Sequence, residues 1–217
     1  MKFFGLGVKI AAVMAITALA LTGCQVLQPS GGKTQADKSA YEKIQKELIE
    51  LQTYKSDATV EYKSNKGSNK YETVQQCKIN GEYRIEVTAP ANVAGSVTIN
   101  DGKSIRQFNQ RLQSQIQVST SENQERSELF VTSFIKNYLN SNQVSISVAN
   151  FGEGRCTVLE AAIPGNHPYM TTEKLWIDNA TLAPVQLIVY DAQGTERIIV
   201  TYNTFEYNVP LDEKVFN

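Results

Sequence analysis

Few side chains in this sequence could carry out catalysis. His167 is the single histidine among 217 residues and lies in a loop-like segment, 164–168, where it could act as a surface base. A loop histidine without a neighbouring nucleophile or a second metal ligand is usually solvated. No phosphate-binding loop, dinucleotide fingerprint, HExxH or GxSxG motif occurs. We therefore expect no enzyme activity, no catalytic residue, no metal site and no cofactor.

Two of the three cysteines, Cys77 and Cys156, could form a disulfide. They are 79 residues apart, and each lies in a strand-like run, so a bridge would join distant strands. An exported protein could keep such a bond. The alternative is two separate, buried, small apolar residues, and the sequence leaves both interpretations open. Neither cysteine belongs to a Cys-x-x-Cys motif, which argues against a catalytic thiol.

The third cysteine, Cys24, follows a segment typical of an export signal. The apolar run from Ile10 to Leu21 is flanked by lysine and is too short to cross a bilayer, which takes about 20 residues. It ends in Leu21-Thr22-Gly23-Cys24, which resembles the lipobox of bacterial lipoproteins. We expect residues 1–23 to be a lipoprotein signal peptide. Acyl chains such as palmitate on Cys24 would then anchor the exported protein to the cell membrane.

Charge and composition describe the rest of the chain. The net charge is -1, from 21 basic and 22 acidic side chains, and no cationic cluster favours a nucleic-acid partner. Residues 24–38 have no periodicity and contain Pro29 and Gly31-Gly32, which is typical of a flexible tether. Residues 39–217 are long enough to form one domain with its own core.

Apolar periodicity predicts a mainly β domain with two helices. Helical spacing predicts one helix from Ser39 to about Thr53 and another from Leu129 to Tyr138. Alternation predicts about five strands after each helix, and Asn80-Gly81 between two alternating runs is a strong hairpin signal. The expected fold class is α+β, mainly β. We expect a strongly curved antiparallel sheet or half-barrel of about ten strands, with the two helices packed on its concave face.

The C-terminal third carries the clearest family resemblance. Its strand-turn-strand pattern consists of Leu175-Trp176-Ile177-Asp178, Thr181, Pro184, Asp191, Gly194, Asn208 and Phe216. This pattern resembles the lipoprotein-carrier superfamily of Lol-type, outer-membrane lipoprotein-sorting proteins. The order of helices and strands extends the resemblance over Ser39 to Asn217.

The soluble carriers of this superfamily lack a lipobox, whereas this chain has one at Cys24. The chain is therefore closer to the anchored members of the superfamily. Among these it resembles the GerS-type germination lipoproteins of spore-forming clostridia. That resemblance implies a non-enzymatic protein that supports spore germination by binding and activating a zinc-dependent N-acetylmuramoyl-L-alanine amidase in cortex processing. No residue of the interface with the amidase can be assigned from a motif.

A lipid- or lipoprotein-binding carrier or acceptor is the alternative function. It would need an apolar cavity on the concave face, and aromatic residues could line one. The candidates are Phe108, Phe130, Phe134, Tyr138, Trp176 and Tyr202. The same residues could instead fill a solid core between sheet and helices, which is the commoner role of buried aromatic residues.

A polar strand offers a site for protein binding. The segment from Gln107 to Gln124 is rich in Gln, Ser and Asn, has few charges and has little alternation to fix its register. Such a strand can pair with another chain. We hypothesise that it mediates either docking of the amidase or a strand-exchanged homodimer.

Overall fold

The computed structural model describes residues 34–109, 113–119 and 128–216. Within these residues a helix and six strands are followed by a second helix, five strands and a short 3-10 helix. The elements are α1 (Gln35–Ile49), β1 (Thr53–Ser64), β2 (Gly67–Lys78), β3 (Tyr83–Ala89), β4 (Ser96–Asn100), β5 (Ser104–Asn109), β6 (Ser114–Ser119), α2 (Val131–Asn140), β7 (Val144–Phe151), β8 (Gly154–His167), β9 (Met170–Asp178), β10 (Pro184–Tyr190), β11 (Glu196–Tyr207) and η1 (Glu213–Phe216).

The strands form one antiparallel sheet in the order β6-β5-β4-β3-β2-β1-β11-β10-β9-β8-β7. The first and last strands of the chain pair at its centre, where Tyr54 lies opposite Tyr207 and Val60 lies opposite Val200. Each half of the chain therefore extends outward from the centre as a meander. The sheet is curved and does not close, so β6 and β7 are its edges. The predicted fold class is confirmed, with eleven described strands instead of about ten.

The core lies between the inner, concave face of the sheet and the two helices. Every second side chain of β1 and β9 is buried for most of the strand length, as period-two geometry requires. The helices add apolar stripes at helical spacing, with Ile44 and Leu48 from α1 and Phe134 and Ile135 from α2. α2 packs mainly on β8 and β9, and α1 also contacts β8.

α1 begins four residues earlier than its apolar spacing predicts. It starts at Gln35 instead of Ser39 because Thr34 and Asp37 form a capping box. The Asp37 amide donates to Thr34 Oγ1 (3.1 Å), and the Thr34 amide donates to Asp37 Oδ2 (2.7 Å). Residues 35–38, which composition assigns to the tether, are therefore helical.

Candidate functional site

The two open edges of the sheet are the candidate interaction site. β6 (Ser-Gln-Ile-Gln-Val-Ser) and β7 (Val-Ser-Ile-Ser-Val-Ala-Asn-Phe) contain no charged residue. Natural sheets usually protect an edge with charge, proline or a bulge, because its unpaired N–H and C=O groups can pair with another chain. Both edges therefore have the chemistry needed to accept an added strand.

β6 is the more exposed of the two edges. Its side chains from Ser114 to Gln117 are exposed, and Ile116 presents 61% of its surface to solvent. The sequence predicts a weakly protected strand from Gln107 to Gln124. The structure divides the described part of that segment between the end of β5 and β6, while residues 110–112 and 120–124 lie outside the described residues.

Most of the aromatic residues considered as cavity lining belong to the solid core. These are Phe130, Phe134, Tyr138 and Tyr202, of which the second and third stack with ring centroids 5.7 Å apart. Phe108 is instead 41% exposed on β5, and Trp176 points away from the core, 6.4 Å from Phe151. A shallow cavity of about 230 Å³ does lie beside β7, lined by residues such as Val144 and Glu160 and by none of these six aromatics.

Cys77 and Cys156 are free, buried thiols, so the disulfide that they could form is absent from the structure. The sheet explains why. Cys77 lies on the inner face of β2 opposite Tyr54, whereas Cys156 lies on the outer face of β8 opposite Asp178, and four strands separate β2 from β8. Burial raises the pKa of Cys77 well above its usual range and that of Cys156 to about 11. Neither is therefore a thiolate near neutral pH.

The other sequence candidates do not form a catalytic cluster. His167 is exposed at the end of β8, where its Nδ1 accepts a hydrogen bond from the Tyr169 amide (3.3 Å). Among the described residues, no group of three or more His, Cys, Asp or Glu side chains could hold a metal ion. The same residues include no helix with the length and apolar character needed to cross a membrane. Residues 1–23 and Cys24 lie outside the described residues.

A buried carboxylate fastens α1 to the sheet. Asp37 is only 3% exposed and accepts five hydrogen bonds, two of them from the Arg155 guanidinium of β8 (2.6 and 2.8 Å). The other three come from the amide and hydroxyl of Thr34 and from Asn179 Nδ2 (3.2 Å). The Arg155 hydrogen bonds hold the pKa of Asp37 well below its usual range.

A second buried carboxyl group, Glu173 of β9, contacts α2. It is 0% exposed and lies on the inner face between Ala161 and Val189 of the neighbouring strands. Oε1 accepts a hydrogen bond from Asn137 Nδ2 (2.8 Å), whereas Oε2 has no partner among the described residues. Burial raises the pKa of Glu173 to about 7, although the hydrogen bond from Asn137 partly opposes the shift.

Further polar groups lie on the inner face. Tyr54 donates its hydroxyl hydrogen to Gln75 Oε1 (3.0 Å), while Gln75 Nε2 and the Tyr202 hydroxyl have no hydrogen-bond partner among the described residues. Sequence reasoning did not single out these residues. The burial of Glu173 could have been predicted, because it lies two residues before Leu175 and four before Ile177 along one predicted strand and so lies on the same face of the sheet.

Comparison with known families assigns nearly the whole chain to one group. The profile of the family described as sporulation protein YdcC-like matches residues 9–216. The chain belongs to the YdcC-like family. No curated protein sequence matches it. Membership associates this YdcC-like chain with sporulation, in agreement with the germination proteins that its sequence resembles.

Solved structures similar to the YdcC-like chain include both kinds of protein expected from the sequence. An uncharacterized conserved protein from Thermus thermophilus shares the fold, with a TM-score of 0.51, 11% identity, and coverage of 84% of this chain and 94% of that one. GerS of Clostridioides difficile, solved in complex with the CwlD amidase, has a TM-score of 0.48, 28% identity, and coverage of 79% and 95%. A LolA superfamily protein from Nitrosomonas europaea has a TM-score of 0.44, 14% identity, and coverage of 83% and 96%. The expected resemblance is confirmed.

Proposed function

We propose that this YdcC-like chain is a non-enzymatic lipoprotein that binds a protein partner at the outer face of the membrane. In this proposal residues 1–23 direct export, and acyl chains on Cys24 hold the domain at the membrane. Membership of a sporulation family supports a role in spore formation or germination. The more specific proposal is that it binds and activates an N-acetylmuramoyl-L-alanine amidase during cortex processing.

The uncharged β6 edge is the observation that carries this proposal. An added strand would satisfy the unpaired backbone groups of β6, and its side chains would cover Ile116. No enzyme activity is needed for this role. The pKa values of both described cysteines are raised and His167 has no catalytic partner among the described residues, which also supports a binding protein.

The choice of partner to test comes from the solved complex in which GerS is bound to the CwlD amidase. A second copy of this chain is the other candidate, because β6 could pair with β6 of another copy as a homodimer. The two partners would compete for the same edge. Light scattering of the chain with and without the amidase would show which complex forms.

The test is a lysine substitution at the edge, with binding to a CwlD-type amidase measured by biolayer interferometry. Ile116→Lys places a charge where the added strand would lie, and we expect at least a tenfold loss of affinity. Ile49→Lys is the matched control, because Ile49 is 67% exposed and ends α1 just before β1, which is a central strand of the sheet. Equal binding by both variants would contradict the proposal.

Anchoring is tested separately. The wild-type chain should incorporate labelled palmitate and remain with membranes, whereas Cys24→Ala should be released and unlabelled. A Cys24→Ala chain that stays labelled on membranes would contradict acylation at this residue without affecting the proposal for β6.

The alternative, a lipid or lipoprotein carrier that uses the concave face, predicts a different result. Native mass spectrometry of the purified chain would then show a bound lipid. Phe130 and Phe134 are buried in the solid core, which favours the partner-binding function.

A further inference from the structure

α2 depends on packing for its stability. Its first residue follows Phe130, which provides no side-chain cap, and its first turn has no acidic residue and its last turn no basic one. Lys136 is its single charged residue and is exposed. Contacts with β8 and β9 must therefore hold the helix in place.

One polar contact in this packed surface involves a fully buried acid. Asn137 of α2 donates to Glu173 Oε1, and Glu173 Oε2 has no partner among the described residues. An ionised carboxylate in this position would lack the hydrogen bonds that normally compensate for burial. The protonated, neutral acid is more stable in the closed arrangement, because burying it does not remove a charge from water.

No positive charge is known to face Glu173 from the described elements around it. Its neighbours on β8 and β10 are Ala161 and Val189, and α2 contributes the uncharged Asn137. Two further titratable groups interact with Glu173, namely Glu128 before α2 and Tyr202 of β11. The negative charge of Glu128 adds to the effect of burial, and both keep the pKa of Glu173 near neutrality, at about 7.

We propose that the buried carboxyl group of Glu173 is a pH-sensitive latch, which keeps α2 closed on the sheet while Glu173 is protonated and lets α2 open locally, against the hydrogen bond from Asn137, once Glu173 has lost its proton to solvent. Opening would hydrate the carboxylate and expose the apolar surface that α2 shares with β8 and β9. This inference is independent of the proposed partner and of the β6 edge.

Hydrogen exchange of the α2 amides in the full-length chain tests the latch. After correction for intrinsic exchange, the equilibrium constant for opening of α2 should rise by up to about tenfold per pH unit between pH 4.5 and about 7, where opening releases one proton, and should level off at higher pH. Glu173→Gln keeps the size and the carbonyl acceptor but cannot ionise, so its α2 protection should not change with pH. Glu160→Gln is the matched control: Glu160 lies on the outer face of β8, where it pairs with Lys174.

The latch is supported if the protection of α2 still depends on pH in Glu160→Gln but no longer does so in Glu173→Gln. Protection of α2 that is independent of pH in the wild-type chain, or that changes equally in Glu173→Gln, overturns it. Should Glu173→Gln fail to fold, a carbon-13 NMR titration of Glu173 in the wild-type chain replaces the variant. A midpoint below pH 5.5 would then overturn the proposal.

Discussion

The two helices are fastened to the same sheet by carboxyl groups in opposite environments. Asp37 of α1 accepts five hydrogen bonds, including two from Arg155, and its pKa is lowered. Glu173, beneath α2, accepts one hydrogen bond, and its pKa is raised. Both side chains have little exposure to solvent, but burial raises the pKa of Glu173, whereas the hydrogen bonds from Arg155 outweigh the effect of burial on the pKa of Asp37. We therefore expect the attachment of α1 to be unaffected by pH near neutrality, and that of α2 to depend on pH.

The largest expected effect is at the α1 site. Asp37→Ala removes the capping box and both hydrogen bonds to Arg155, and we expect a loss of about 4 kcal/mol in the free energy of unfolding. Urea denaturation at pH 7 measures it. Glu42→Ala, an exposed acid on the same helix, should change stability by less than about 0.5 kcal/mol. A loss below about 1 kcal/mol for Asp37→Ala would mean that this site does not fasten α1.

The next prediction concerns the pH dependence contributed by Glu173. Its pKa rises from 4.5 to about 7 on folding, so the folded state binds more protons than the unfolded state between these values. The contribution of this group is fully present below pH 4.5 and is lost as pH rises through 7, a change of about 3 kcal/mol. Asp37 has the opposite sign, because its lowered pKa contributes stability that is lost only in acid.

Urea denaturation of wild type and Glu173→Gln at pH 5 and pH 8 measures this contribution. The variant should gain stability relative to wild type at the higher pH, while Glu160→Gln should follow the wild-type profile. Identical profiles for wild type and Glu173→Gln would show that Glu173 has an ordinary pKa.

Sequence patterns predicted the layout of this molecule better than its contacts. Period-two alternation identified most strands, and the small number of charges in Gln107 to Gln124 marked a weakly protected segment, part of which is the β6 edge. Alternation could also have placed Glu173 on the inner face. Its partner Asn137 could not be read from the sequence, since that contact depends on where α2 crosses the sheet. The Asp37 and Arg155 pair joins residues 118 positions apart and depends on the same unknown geometry.

Removal of Asn137, the hydrogen-bond donor to Glu173, is expected to have a smaller effect on the free energy of unfolding. Asn137→Ala leaves both oxygens of Glu173 without a known partner, and we expect a loss of about 2 kcal/mol, larger at pH 8 than at pH 5. The hydrogen bond from Asn137 lowers the pKa of Glu173, so its loss should move the titration midpoint of the acid upward. Carbon-13 NMR of Glu173 measures the midpoint. A midpoint that moves downward would contradict the assigned role of Asn137.

The smallest predicted effect separates the cap of α1 from its ion pair. Thr34→Ala removes the side-chain half of the capping box but leaves Arg155 on Asp37, so we expect a loss of about 1 kcal/mol in urea denaturation. Ser39→Ala, at an exposed position of the same helix, should change stability by only a few tenths of a kcal/mol. A Thr34→Ala effect as large as that of Asp37→Ala would assign the fastening of α1 to the cap. An effect as small as that of the control would assign it to Arg155 and Asn179, which join α1 to the sheet through the Asp37 carboxylate.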